Sequence, residues 1–223
     1  MAKLPAIAGL KEEYKLTENI YPMIDNFLKE RCIEDEKYFI LLDANQTIAF
    51  MSGRILDIKT AKEIIPIQRT EKGLDSWEKK EVVNNQQAIC KNESINNEEN
   101  EVAVVISFSR DILNDVKAYL LEEKRKIGRI IDIRLAKINS SSVVDGTHAW
   151  ELANQIKNII DNRELSEKRS LLHIFMSCPN SVVFLLARYS LPFGKIQLYE
   201  YDFSGESTHT YYPTIMFPFD KKY

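Results

Sequence analysis

The sequence is short of the residues that mark most self-contained catalysts and most secreted or membrane-spanning proteins. Its three cysteines, Cys32, Cys90 and Cys178, stand far apart with no C-x-x-C, and any pairing leaves one over. That excludes a disulfide framework and a cysteine-built zinc site, and the expected setting is a reducing cytoplasm. His148 and His209 make no metal-ligand spacing with a cysteine or a carboxylate pair, and His173 sits inside an apolar strand, where a histidine is ordinarily a hydrogen-bonded core residue. The seven glycines form neither a P-loop nor a G-x-G-x-x-G turn. No apolar run approaches the ~18 residues of a membrane span, and MAKLPAIAGLKEEYK returns to charge too soon for a signal h-region. Positive charge is not in excess either. Lys+Arg number 30 against 33 Asp+Glu, giving −3 at pH 7 and a pI of about 5.8. Long-range attraction to duplex DNA or to an anionic membrane is therefore not expected, whereas a small polyanion in a local basic pocket is compatible.

What is present is an ordinary globular composition, 44% apolar and 28% charged over 223 residues, enough for one large domain or two small ones sharing a core. Ile20, Met23, Ile24, Phe27 and Leu28 mark one face of a helix. Tyr38–Leu42 reads as a buried strand, Asp43–Gln46 as a turn, and Thr47–Met51 as a second strand. Pro66 makes Ile64–Arg69 a short extended piece. Thr70–Asn100 is polar apart from Trp77, Val82-Val83 and Ile89, with Lys91–Asn100 as its expected mobile loop.

Order returns with the strand Val102–Phe108, followed by Ser109-Arg110-Asp111, a helix over Ile112–Leu120, Gly128, and the strand Arg129–Ala136. Asp145-Gly146-Thr147 opens a further helix with a clean apolar stripe. Leu171–Met176 is then a buried-type strand, Ser177-Cys178-Pro179-Asn180 stops it, and Pro179 suits the first turn of a helix running to Tyr189. Gly194 and the strand Lys195–Tyr201 complete the pattern. The chain thus contains two β–Ser–α–Gly–β units, each the minimal crossover of a parallel sheet. The expected fold is α/β, with two Rossmann-like halves, residues 1–140 and 141–223, largely parallel sheets, and two helix N-termini aimed into one pseudo-twofold ligand cleft suited to an anion.

The stretches DGTHAWELANQI, LLHIFMSCPNSVVFLLAR, GKIQLYEYDFSG and YYPTI, together with TIAFMSGRILD, Pro66–Gln68, Trp77 and VAVVISFSRDILNDV, resemble the SAVED family over roughly Tyr38 to Ile215. That resemblance implies fused CARF-like halves that sense a cyclic oligonucleotide in bacterial anti-phage signalling, with a trinucleotide the expected ring. It implies an effector such as a nuclease, fused in cis or acting in trans, and a homo-oligomer formed when ligand binds. Too little sequence precedes the sensor to hold an effector, so the expectation is either an excised sensor or a subunit working in trans. No cofactor, resident metal, catalytic residue or membrane contact is expected.

Such a ring needs N–H donors and cations for phosphate and aromatic faces for its bases. The candidate ligand contacts are Ser109 and Arg110 at one junction and Ser177, Cys178, Pro179 and Asn180 at the other. Arg54, Gln68 and Arg69 follow other predicted strands, Trp77 is either a lid or a core residue, and Tyr201 is a stacking face. As bare sequence, Ser, Pro and Asn at a helix start are capping residues, and the isolated arginines are equally surface groups. Two other readings stand beside the sensor: a small hydrolase with Cys178 as nucleophile and His173 as base, although C-P-N-S-V-V-F lacks the arginine of a phosphatase loop, and a structural α/β interaction domain.

Overall fold

The strand-forming runs collect into two sheets in the computed structural model, which describes residues 16–32, 37–60, 63–80, 85–203 and 209–219. In chain order the elements are α1 (Tyr21–Arg31), entered through a π turn at Leu16–Ile20, β1 (Lys37–Leu41), α2 (Gln46–Ile55), β2 (Glu63–Thr70), β3 (Gly73–Ser76), β4 (Ile89–Ser94), β5 (Glu101–Ser107), α3 (Leu113–Glu122) and β6 (Ile127–Arg134). There follow α4 (Gly146–Asp161), α5 (Leu165–Arg169), β7 (Leu171–Ser177), α6 (Asn180–Ala187), β8 (Lys195–Tyr201) and β9 (Tyr211–Phe217). The small sheet has the order β1-β2-β3 and the large one β4-β6-β5-β7-β8-β9.

Both crossover units lie in the large sheet. Strands β6, β5, β7 and β8 are parallel, and the outer strands β4 and β9 run antiparallel to their neighbours. The central runs Val102–Ile106 and Leu172–Phe175 are buried, as a parallel sheet covered on both faces demands. The first unit winds from β5 outward to β6 and the second from β7 outward to β8, and β5 pairs directly with β7, Val102 opposite Leu172 through Ser107 opposite Ser177. Right-handed crossovers that leave a central pair in opposite directions put their helices on opposite faces. Accordingly α3 packs Val116, Tyr119 and Leu120 with Ala103, Val105, Phe175 and Tyr199, while α6 packs Val182–Ala187 with Val104, Ile106, Ile174 and Leu198. The β5/β7 pair is therefore the point at which the strand order reverses, and a doubly wound sheet opens a crevice there, beyond the carboxyl ends of its strands.

The second cluster also takes in α1, α2, α4 and residues of β1 and β2. Helix α2 lies against α6 so closely that a Cβ at Gly53 would sit 2.2 Å from the Phe184 carbonyl oxygen. Asp145 caps α4 as expected, its carboxylate accepting the His148 N–H at 2.8 Å.

Three local expectations are corrected. Thr47–Met51 is not a strand but the body of α2, where Thr47–Gly53 are all buried; burial on every side removes the periodicity that distinguishes a helix from a strand. Lys91–Asn100 is not a loop throughout. Ile89–Ser94 form an antiparallel edge strand, and Ile95 and Asn96 then both donate to the Gly128 carbonyl in a tight return. The first crossover helix starts at Leu113, not beside Ser109. Its early amides are already taken, since Ile112 N–H donates to Ser107 Oγ and Leu113 N–H to Asp111 Oδ1, so Ser109-Arg110-Asp111 is a connecting loop.

Candidate functional site

A cavity of about 500 Å³ opens beyond the carboxyl ends of β5, β7 and β8, walled by Ala44–Gln46, Arg110, Met176-Ser177, Glu200–Phe203 and Tyr211-Tyr212. Its volume falls in the range of small-ligand pockets. The β5/β7 pairing builds the inner wall: the N–H groups of Phe108 and Ser109 both donate to the Ser177 carbonyl, at 2.9 and 2.8 Å. This brings the two Ser-containing junctions side by side and throws Arg110 over the mouth.

Arg110 is the cation of the cavity. Its guanidinium lies 4.1 Å from the Tyr201 ring centroid, a stacked arrangement worth about 0.5–1 kcal/mol at an exposed site. Among the described residues its carboxylate partner is Asp115, 3.7 Å away, and nearly half of its side chain is exposed. Tyr201 continues into an aromatic wall, with ring centroids 4.8 Å from Phe203 and 5.5 Å from Tyr211. The Tyr211 hydroxyl is buried and has no hydrogen-bond partner among the described residues; burial raises the pKa of this phenol, opposed by nearby Arg110, so the group is neutral.

The opposite wall is acidic. Glu200 is 8% exposed, and its Oε1 accepts the Thr47 N–H at 2.6 Å, capping α2 from the far end of the chain. Burial holds the Glu200 carboxyl above the usual carboxylate range, opposed by the bonds from Thr47. A carboxyl raised in this way binds more protons folded than unfolded. Its stabilising contribution is complete below the unfolded pKa of about 4.3 and is lost as pH climbs through the folded value. Glu200→Gln keeps an oxygen for Thr47 and removes the ionisation. In urea denaturation we expect the variant to be at least as stable as the native chain at pH 7, with a flatter decline above pH ~4.3. A loss exceeding about 1 kcal/mol at pH 7 would mean that the charge itself holds α2.

The second junction is used mainly for assembly. The Cys178 carbonyl accepts Gln46 Nε2 at 2.7 Å, and Asn180 Nδ2 donates to the carbonyls of Leu42 and Ala44 at 2.9 and 2.6 Å. Together with Pro179, the residue preceding α6, they fasten the Ala44–Gln46 wall to the end of β7. The α6 amides are also engaged: Val182 and Val183 donate to the Pro179 carbonyl, and Ser181 N–H and Oγ both reach Gln68 Oε1, at 3.4 and 2.8 Å.

Of the residues singled out from sequence, Arg110, Ser177 and Tyr201 line the cavity, and Ser109 adjoins it through Ser177. Cys178, Pro179 and Asn180 stand behind its wall. Gln68 is a cap for α6, and Arg69 pairs with the exposed Asp43 at 2.9 Å. Arg54 lies eight residues beyond Gln46 along α2, about 12 Å by helical rise. There it donates to the Ser190 carbonyl and hydroxyl and lies 4.6 Å from the Phe217 ring centroid. Trp77 is 2% exposed and belongs to the core, not to a lid. Sequence reading missed Glu200, Asp202 and Phe203. Their one local signal was adjacency to Tyr201 at the carboxyl end of a strand.

The Cys178/His173 pair is not assembled. Leu172, Ile174, Met176 and Cys178 face one core cluster, whereas Phe175 faces the other and His173 contacts Tyr199 on that same side. His173 bonds Tyr199 Oη and Glu101 Oε2, both at 2.8 Å, and burial lowers its pKa against the pull of Glu101. Burial raises the Cys178 thiol's pKa, the reverse of what a nucleophile requires. Among the described residues no cluster of three or more His, Cys, Asp or Glu is placed to hold a metal, and no helix is long and apolar enough to cross a membrane.

Residues 20–217 match the family model for SAVED, the "SMODS-associated and fused to various effectors sensor domain". The chain is 31% identical over 196 residues to CD-NTase-associated protein 4 of Enterobacter hormaechei subsp. hoffmannii (strain UCI 50), covering 87% of this chain and 39% of that protein. It is also similar to the Acinetobacter baumannii Cap4 SAVED/CARF-domain containing receptor. With the cyclic trinucleotide 3′3′3′-cAAA, that structure gives a TM-score of 0.65 at 16% identity over 88% of this chain and 41% of that one. With 2′3′3′-cAAA the values are 0.67 at 15%, over 94% and 46%. Identity that low speaks to the fold, which is shared, and the chain spans less than half the length of each of these relatives. By the family match and the curated relative together, the chain belongs to the SAVED family of sensor domains.

Proposed function

We propose that this chain is a cyclic-oligonucleotide sensor of bacterial anti-phage defence, with a cyclic trinucleotide as its ligand. The observation that carries the reading is the cavity at the strand-order reversal, where an under-neutralised Arg110 is stacked on Tyr201 beside the unspent hydroxyl of Tyr211. Arg110 and Tyr211 supply donors to a phosphodiester, Tyr201 and Phe203 supply faces to a base, and the carboxylates of Glu200 and Asp202 face the amino edge of that base instead of the phosphate. Ser109 and Ser177 stand where the ring's backbone passes, and residues 1–140 and 141–223 each contribute one strand of the β5/β7 pair beneath it. Similarity to receptors described with cyclic trinucleotides supports the choice of ring.

The output is assembly. The ring binds the assembled form more tightly than the separate chain and so drives oligomerisation, which activates an effector, such as a nuclease, in cis or in trans. Isothermal titration against cyclic di-, tri- and tetranucleotides, with light scattering at saturation, tests both statements. We expect saturable heat from a trinucleotide and a rise in mass. No heat from any ring by a folded chain would overturn the ligand. Full occupancy at unchanged mass would overturn the output.

A further inference from the structure

Strand β4 is an outer strand of the large sheet, and all six of its residues, Ile89–Ser94, are exposed. Among the described residues it pairs only with β6. The Ile95 N–H donates to the Gly128 carbonyl at 2.8 Å, which identifies that pair as a hydrogen-bonded one. In an antiparallel ladder such pairs alternate, so Ile89, Lys91 and Glu93 turn their backbone groups toward β6 while Cys90, Asn92 and Ser94 turn theirs outward. A row of outward N–H and C=O groups is a template for another strand.

The strand's own sequence matches that template. About Asn92 it is self-complementary: Lys91 mirrors Glu93, Cys90 mirrors Ser94, and Ile89 mirrors Ile95, these two isoleucines being exposed at 41% and 51%. We propose that β4 pairs antiparallel with β4 of a second copy of this chain, on a twofold axis at Asn92, joining the two large sheets into one. Asn92 and its copy then exchange both backbone hydrogen bonds. Lys91 faces Glu93 twice, at the closer, non-hydrogen-bonded positions where cross-strand charge pairs act most strongly. Glu93 is held along the α3 face of the sheet by Lys117 at 2.5 Å, and strand alternation puts Lys91 on that same face. Lys91 has no carboxylate partner among the described residues. A lysine on an edge strand ordinarily discourages pairing; in this register it meets the opposite charge. The contact is isologous, so it closes at a dimer, and it does not depend on ligand.

Sedimentation equilibrium of the ligand-free chain tests the surface, and we expect a reversible dimer. Lys91→Glu opposes like charges at both sites and should raise the dimer dissociation constant at least tenfold, whereas the double exchange Lys91→Glu/Glu93→Lys restores opposite signs and should recover the dimer. Register is tested separately by Ser94→Cys. That substitution faces native Cys90 of the second copy at a Cα separation of ~5.5 Å, within disulfide range. Oxidised glutathione should then link the chains covalently, and Cys90→Ala in the same variant should abolish the link. A chain that stays monomeric at every concentration, a dimer indifferent to Lys91→Glu, or cross-linking that persists without Cys90 would overturn the proposal.

Discussion

Replacing Arg110 by alanine is expected to weaken binding of the proposed ligand, a cyclic trinucleotide, by roughly 10- to 100-fold. A charge-assisted hydrogen bond to phosphate contributes about 1.5–3 kcal/mol, and each 1.4 kcal/mol is tenfold in affinity. Among the described residues no other lysine or arginine lines the cavity, so none of them substitutes for the lost charge. Arg110→Lys should fall between the native chain and the alanine variant. It keeps the charge but loses the planar face stacked on Tyr201 and the forked donors that match a phosphate. The affinity lost should also shrink as salt is added, because an exposed charge is screened. Thermal stability should barely move, since the side chain is nearly half exposed and its ion pair with Asp115 is long. Calorimetric titration of the three proteins at two salt concentrations reads all of this. Equal affinities would place the phosphate elsewhere in the cavity.

Phe175→Ala is expected to produce the largest loss of stability, about 3–5 kcal/mol, or a fall in melting temperature of roughly 6–20 °C for a chain of this size. Phe175 is fully buried and lies among three tyrosine rings. It stacks on Tyr199 at 4.2 Å with 14° between planes, and meets Tyr211 edge-on at 5.2 Å and Tyr119 at 5.9 Å. The rings cannot close on the vacated volume without losing these contacts, because Tyr199 is also tied to His173. Since Tyr211 passes from this cluster to the cavity wall, ligand binding should weaken in the same variant. Leu121→Ala, at an 81% exposed position, serves as the control and should stay within about 0.5 kcal/mol of native. A Phe175→Ala chain melting within ~2 °C of native would show that the cluster repacks freely.

These predictions rest on features of unequal legibility. The sequence by itself pointed to the class of fold, because Val102–Ile106 and Leu171–Met176 are short runs rich in β-branched and aromatic residues and bounded by turn residues, as strands covered on both faces are. It marked where those runs stop, close to Ser109 and Ser177, the start of β8 through the glycine before it, Gly194, and where α4 begins, through the cap on His148. Arg110, Ser177 and Tyr201 were legible as residues that line the cavity for the same reason: each stands at or just beyond the carboxyl end of a strand of a parallel sheet. Only the tertiary structure decided the rest. That β5 pairs with β7, making a single sheet with one reversal, is a choice among topologies that local patterns do not rank. Helix α2 read as a strand because it is buried on every side and its cap, Glu200, arrives from 153 residues away. Gln68 likewise caps α6 across 113 residues, Arg54 is drawn to Ser190 and the Phe217 ring, and Trp77 is turned into the core, each by neighbours remote in sequence. The acidic wall and the orphan Tyr211 hydroxyl exist only after β8 and β9 are docked. Long-range hydrogen bonds and all-round burial leave no period in the sequence, so the composition of the cavity was settled by packing, while its location was written in the strand ends.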